Sequence, residues 1–372
     1  MRNRGIVVIL LLLLNPSCGS DTYTVEYVHD VEIIHNHSPV WGETPQVRLE
    51  FIRRIGDVDG EDEQYLFAQP RQVEVDRDDN YYVLDRDLIR IQKYDHEWNY
   101  LMSIGNLGQG PGEFRDPLSF VIDRRSSLYV MDYLNNRIQM FDLSGNYLRT
   151  IMTEQRASFI AVTDTGNLLS WTAGNAAAPP DSTITLFTLF DEDGRYLRGF
   201  GEVIEYGRTA INWDANLCDL TVADDGYLYT SFYRQNRIEK YSLDGTLQFR
   251  TDRPVAFDLE PTEESITVPG TERVIEYLSF PNVSLSMDVD TEGRIWVSTF
   301  SREWDPRPAD EVDRDIAPDL LHLDIFNSQG IWLGRVENPL YHSKFRIFGN
   351  RIIFIDSDVT ACLYEYQIIE SR

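Results

Sequence analysis

The chain has 372 residues, with 61 Asp and Glu against 34 Lys and Arg, for a formal charge of −27. Such acidity repels phosphate backbones and anionic lipid heads, which sets nucleic-acid binding aside. A hydrophobic share of 42% with 12% aromatics supplies a sizeable core and excludes global disorder.

The first predicted element is a processing signal. Arg2 and Arg4 precede an unbroken apolar run of nine residues, 6–14, too short to span a bilayer as a helix but suited to a secretory signal core. Asn15-Pro16-Ser17-Cys18 and then polar Gly19-Ser20-Asp21 follow. This placement of Cys18 resembles a bacterial lipobox, although Asn15 stands where such a motif carries Leu. The resemblance implies a chain exported to the cell envelope and anchored by lipid on Cys18. An ordinary cleaved signal is the alternative, and it too implies export. The organisation expected is a signal peptide over 1–18, an N-terminal arm or tether over 19–46, and one domain over 47–372.

That domain repeats itself. Residues 70–104 and 117–151 align without a gap at an offset of 47, with 14 identities in 35 positions. A period in the 40s built from short β runs points to propeller blades. Unit one predicts strands at 73–75, 81–84, 89–94 and 100–104, and unit two at 120–122, 128–131, 138–141 and 147–151. Unit three follows at 160–162, 168–171, 185–190 and 196–200, then unit four at 220–222, 227–230, 236–238 and 247–250. Unit five has 287–289, 294–298, 321–326 and 331–336. The last unit supplies only three strands, 345–348, 351–355 and 363–368. Residues 47–56 read like the missing outer strand, so an N-terminal strand would complete the C-terminal blade and leave no open edge. The expected fold is all-β: a six-bladed propeller of four-stranded antiparallel blades with 3+1 closure.

Gly105, Gly108, Gly110-Pro111-Gly112, Phe114 and Pro117 are followed by Asp123, Tyr129-Val130, Asp132, Asn135-Asn136-Arg137-Ile138-Gln139, Phe141-Asp142 and Gly145. This stretch resembles an NHL repeat. The whole chain is similar to the exported six-bladed NHL-like propellers of bacteria, many of them lipoproteins. The resemblance implies an architecture and hands over no reaction.

Residues recurring in several blades read as scaffold. Asp76 and Asp123 sit where a carboxylate bonds turn N–H groups. Gly145, Gly194, Gly226, Gly245 and Gly293 fall at turns that need positive φ. Asp85 and Asp132 could pair with Arg90 and Arg137. Cys218 and Cys362 fall in non-adjacent blades and read as two buried thiols.

Function is expected where the blades differ. The first and third turns of each blade are short and share one face. The connections 57–69, 106–116, 172–183, 202–216, 251–283 and 299–319 are long and share the other face. Proline-rich 251–283 is the candidate cap over the channel. Trp171, Tyr206, Trp213, Tyr233 and Trp304 lie on or beside this face and are the candidate ligand-binding residues, for a protein, peptide or glycan.

Catalytic signals are sparse. There is no G-x-S-x-G elbow, and residues 105–112 lack the ending of a phosphate loop. Zinc-using propeller lyases of the NHL type place histidines in the channel, and the six histidines here make no matching set. Calcium-dependent propeller hydrolases hold the ion with Glu, Asn and Asp from inner strands. For that alternative the candidates are Glu74, Asn216, Asp219 and Asp288. The reading reached is an exported, lipid-anchored, monomeric propeller that binds its partner on the long-loop face without a cofactor. The alternative is a calcium-dependent, lactonase-like hydrolase or lyase with its site in the central channel.

Overall fold

Asx-type turns set the strand spacing. In the turn after the third strand of unit one, the Asp95 carboxylate accepts the N–H groups of Glu97 and Asn99, each at 2.9 Å. Asp142 does the same for Ser144 and Asn146 in unit two, at the same distance. Gly145, Gly194, Gly226, Gly245 and Gly293 all have φ between +76° and +86°. At Gly194 a side chain is doubly excluded, because a Cβ would stand 2.3 Å from the Met152 carbonyl oxygen.

The structure is a computed structural model that describes residues 22–56, 60, 62–154, 157–172, 184–267, 274–303, 320–340, 344–357 and 359–371. The signal segment with Cys18 lies outside the described residues. In chain order, β1 (Tyr23–Val28) and β2 (Val31–Asn36) form a hairpin and β3 (Val47–Ile55) follows. Blade 1 holds β4 (Pro70–Val75), β5 (Tyr81–Asp85), β6 (Arg90–Tyr94) and β7 (Tyr100–Ile104). Blade 2 holds β8 (Pro117–Ile122), β9 (Ser127–Asp132), β10 (Arg137–Asp142) and β11 (Tyr147–Ile151). Blade 3 holds β12 (Ile160–Val162), β13 (Leu168–Trp171), β14 (Phe187–Phe190) and β15 (Tyr196–Phe200).

A short helix α1 (Thr209–Ala215) leads into blade 4, with β16 (Cys218–Val222), β17 (Tyr227–Phe232), β18 (Ile238–Ser242) and β19 (Leu247–Asp252). A separate hairpin, β20 (Thr262–Thr267) and β21 (Val274–Ser279), precedes blade 5. That blade holds β22 (Ser284–Val289), β23 (Ile295–Phe300), β24 (Leu321–Phe326) and β25 (Trp332–Glu337). Blade 6 holds β26 (Lys344–Phe348), β27 (Arg351–Asp356) and β28 (Cys362–Glu370), with β3 antiparallel to β28 as its outermost strand.

The inner strands β4, β8, β12, β16, β22 and β26 neighbour one another in that order, and β26 neighbours β4. Among the described residues, six of the seven apolar clusters each lie between two consecutive blades. Val83 of blade 1 and Ile353 of blade 6 share one, and Leu169 of blade 3 and Leu228 of blade 4 share another. Cys218 and Cys362 are buried and lie in different blades.

The N-terminal arm differs from a free tether. β2 pairs parallel to β19 at the outer edge of blade 4, making that sheet six-stranded. The N–H groups of Val40 and Trp41 donate to the carbonyls of Trp332 and Leu333 in blade 5, at 3.1 and 2.7 Å. β3 then joins blade 6. Residues 23–55 therefore run outside three consecutive blades and satisfy backbone groups that an exposed sheet edge would leave open. The long connections also hold more structure than loops do: 202–216 contains α1, and 251–283 contains β20 and β21.

Candidate functional site: the central channel

Each inner strand ends in a tight turn on the short-turn face, so its first residues face the long-loop end of the channel. Five of these strands, β4, β8, β12, β16 and β26, line a cavity of about 220 Å³. Its charged side chains sort into three levels.

At the short-turn end, Arg124 of blade 2 reaches across to blade 3, where its guanidinium is 3.0 Å from the Asp164 carboxylate. It also donates to the Asp224 carbonyl of blade 4 at 3.1 Å. All three side chains are more than half exposed.

The middle level joins four blades around Arg346. Its guanidinium lies 3.4 Å from Asp219 Oδ2 and donates to the Met287 carbonyl at 3.0 Å. Burial alone would lower its pKa, but Asp219, Asp288 and Glu74 together outweigh that and raise it. Asp219 Oδ2 also accepts from Ser286 Oγ (2.9 Å) and Met287 N–H (3.1 Å) of blade 5. Burial pushes this carboxyl up; Arg346, Lys344 and the Met287 N–H overcome it and hold the pKa below its ordinary value. Asp288 accepts the N–H of Ile347 in blade 6 at 2.7 Å and of Val289 at 2.9 Å. Its pKa is raised, chiefly by burial.

Glu74 stands apart. Gln72 Nε2 donates to it at 2.8 Å. Its side chain retains partial contact with the cavity but is surrounded by protein, and burial lifts its pKa to about 7 against the opposing pull of Arg346. These inner-strand carboxylates thus bond neighbouring blades together, as buried polar groups must find partners.

Two cations occupy the long-loop end. Lys344 Nζ donates to the Tyr233 hydroxyl at 2.9 Å, so a blade 6 strand meets a blade 4 loop. Among the described residues, no carboxylate lies within 4.0 Å of that ammonium, although Asp219 attracts it from further away. Burial, together with Arg71 and Arg346, lowers the Lys344 pKa against that attraction. Phe159 neighbours both cations, with its ring centroid 5.7 Å from Lys344 Nζ and 5.9 Å from the Arg71 guanidinium carbon.

The expected site residues separate accordingly. Glu74, Asp219 and Asp288 do come together around Arg346, whereas Asn216 does not. Its side chain bonds Ile204 through both N–H and carbonyl (2.9 and 2.8 Å) and donates to the Asn212 carbonyl at 2.7 Å, holding the loop around α1. The set does not fit calcium. A guanidinium already stands among the carboxylates, and among the described residues no group of three or more His, Cys, Asp or Glu is arranged to hold a metal ion.

Of the aromatic candidates, Tyr233 reaches the channel mouth. Trp171 is corrected to a core residue. It is 3% exposed, and its indole N–H donates to the Asn216 carbonyl at 3.2 Å. Trp213 packs edge-on against it and is 47% exposed, and Tyr206 packs edge-on against Phe280. Trp304 lies outside the described residues. Sequence reasoning missed Arg71, Phe159, Lys344 and Arg346. The alternation of Lys344, Phe345 and Arg346 on one strand was the available signal, with two cations flanking a buried aromatic.

Six four-stranded antiparallel sheets around a channel define a six-bladed β-propeller. The chain belongs to the DUF5128 family, described as 6-bladed beta-propeller, which matches residues 61–265. A presumed exported protein from Bacteroides fragilis NCTC 9343 is similar in structure, with 9% identity, 91% of this chain and 100% of that chain covered, and a TM-score of 0.60. A DUF4221-family protein from Bacteroides vulgatus ATCC 8482 is also similar, with 10% identity, 87% and 99% coverage, and a TM-score of 0.54. At these identities the likeness speaks to fold alone. No curated protein matches the sequence. Among the described residues, no helix is long and apolar enough to cross a membrane.

Proposed function

We propose that this chain is an exported, lipid-anchored, monomeric propeller that binds a protein, peptide or glycan partner on its long-loop face. The observation that carries this reading is the channel mouth. There Lys344, Arg71 and Phe159 from three blades line one cavity and Tyr233 of a fourth bonds Lys344, while Asp219 and Asp288 deeper in are engaged in holding blades together. Few convergent polar groups beside an aromatic wall are the usual make-up of a binding pocket. A net charge of −27 argues against nucleic acid as the partner. The signal-like run at 6–14 and the lipobox-like Cys18 support export and anchoring.

The test is binding of the chain, without residues 1–18, to peptide and glycan arrays beside a Tyr233→Ala variant. Retained ligands that the variant loses support the reading. Binding unaffected by Tyr233→Ala, or none at all, counts against it. Mass spectrometry of the native N-terminus in its host tests the anchor: a diacylglyceryl mass on Cys18 is expected, and an unmodified N-terminus contradicts it.

A second reading, hydrolysis or elimination within the channel, is favoured by Glu74 alone. A carboxyl titrating near neutrality in a cleft can act as a general acid or base. Turnover of a retained ligand that Glu74→Gln abolishes, with binding intact, would establish it.

A further inference from the structure

A half-buried ammonium calls for an anion, and Lys344 has none within ion-pair distance among the described residues. The absence is notable in a chain with 27 more acidic than basic groups. Its neighbours complete a recognition surface. Tyr233 Oη accepts the Lys344 proton, leaving its own O–H free to donate to something in the mouth. Arg71 also lies beside Phe159, whose ring offers an apolar surface next to the two charges.

The shape of the cavity narrows the ligand. Peptides bound along sheets rely on main-chain bonds to an open strand edge. Here the inner edges facing the cavity are already occupied by side chains. Gln72 exchanges bonds with the Phe120 N–H and carbonyl (3.1 and 2.7 Å), Ser119 Oγ bridges Ser158 and Ile160 (3.1 and 3.3 Å), and Ser286 Oγ accepts the Phe345 N–H at 3.2 Å. What remains is recognition by cation, hydroxyl and ring face, in a space of about 220 Å³ that a compact group enters end-on.

We propose that the long-loop mouth of the channel is a site for the carboxylate of an acidic sugar, in which Lys344 and Arg71 hold the carboxylate, the Tyr233 hydroxyl donates to it and the pyranose ring rests against Phe159. The inference rests on the long-loop face being the binding face, and it names the ligand class there.

Isothermal titration calorimetry on the chain without its leader tests it, with trigalacturonate, the methyl ester of the same trisaccharide and pentaglutamate as probes. Trigalacturonate is expected to bind, and the ester and the peptide at least 10-fold more weakly. Lys344→Met should weaken trigalacturonate by about 30-fold, the loss expected when one partner of a buried charge pair is removed. Its melting temperature should hold or rise, because a charge without an ion-pair partner leaves the interior. Equal affinity for ester and acid overturns the proposal, as does unchanged affinity in Lys344→Met or a fall in its melting temperature without ligand. Tighter binding of pentaglutamate overturns the sugar assignment while leaving the face as the binding face. If none of the probes binds but the arrays retain another ligand, this inference fails and the function reading stands.

Discussion

The middle of the channel and its long-loop mouth are built from the same inner strands, yet they treat charge in opposite ways. In the middle, Arg346 serves Asp219, Asp288 and Glu74, while backbone N–H groups from blades 5 and 6 also bond Asp219 and Asp288. At the mouth, Lys344 has a hydroxyl and an aromatic ring for company. Within one channel, mutually satisfied charges therefore mark scaffold, and the charge without an ion-pair partner among the described residues marks the place to look for a ligand.

Breaking the middle gives the largest expected effect. Arg346→Ala leaves the buried Asp219 and Asp288 and the half-buried Glu74 without their cation and should cost about 3–5 kcal/mol in chemical denaturation. A loss below 1 kcal/mol would mean that the middle is not scaffold. Arg253 and Asp324, both fully buried and 3.1 Å apart in the interior of the structure, provide a control of the same class away from the channel. Asp324→Ala should fall in the same range.

Glu74 sharpens the contrast through pH. Its folded pKa is raised from 4.5 to about 7, so the native state binds the proton more tightly than the unfolded chain. The contribution is fully present below about pH 4.5 and is lost as pH rises through about 7. Because the side chain keeps some contact with water, the effect across that window should be roughly 2 kcal/mol. Comparing denaturation of the protein and Glu74→Gln at pH 5 and pH 8 isolates it. If the difference between the two proteins is the same at both pH values, the assignment fails.

The smallest effect belongs to the short-turn end. Arg124 is half exposed and pairs with exposed partners, so Arg124→Ala should change stability by less than about 0.5 kcal/mol and leave array binding intact. A large loss in either measurement would place function at the wrong end of the channel.

Much of the scaffold was legible from repeated residues. The pairing expected of Asp132 and Arg137 is present at 3.1 Å, and Asp132 also accepts the N–H groups of Arg115 and Asp116 in the preceding loop. Asp85 anchors its loop at Ala68 and Gln69, but Arg90 turns to the carbonyls of Glu63 and Leu66 instead of pairing with it. Trp98 shows a limit of repeat logic. It stands where blade 2 has Gly145 and takes φ +69°, stacked on Tyr81 at 4.1 Å with its N–H on Glu365 at 3.2 Å. This turn residue is a wedge between blades 6 and 1.

The sequence by itself determined the blade period, the strand positions and the turn chemistry, because these depend on alternation and on residues within a few positions of each other. It also separated the six long connections from the short turns. Only the tertiary structure decided which side chains share the channel. Arg71, Phe159, Tyr233 and Lys344 come from four blades and are separated by as many as 273 residues. Charge balance at such a point is a sum over distant strands that no local pattern records. The same reason separates Trp171 from Trp213: both sit by a long connection, but packing buries one in the blade interface and leaves the other at the surface.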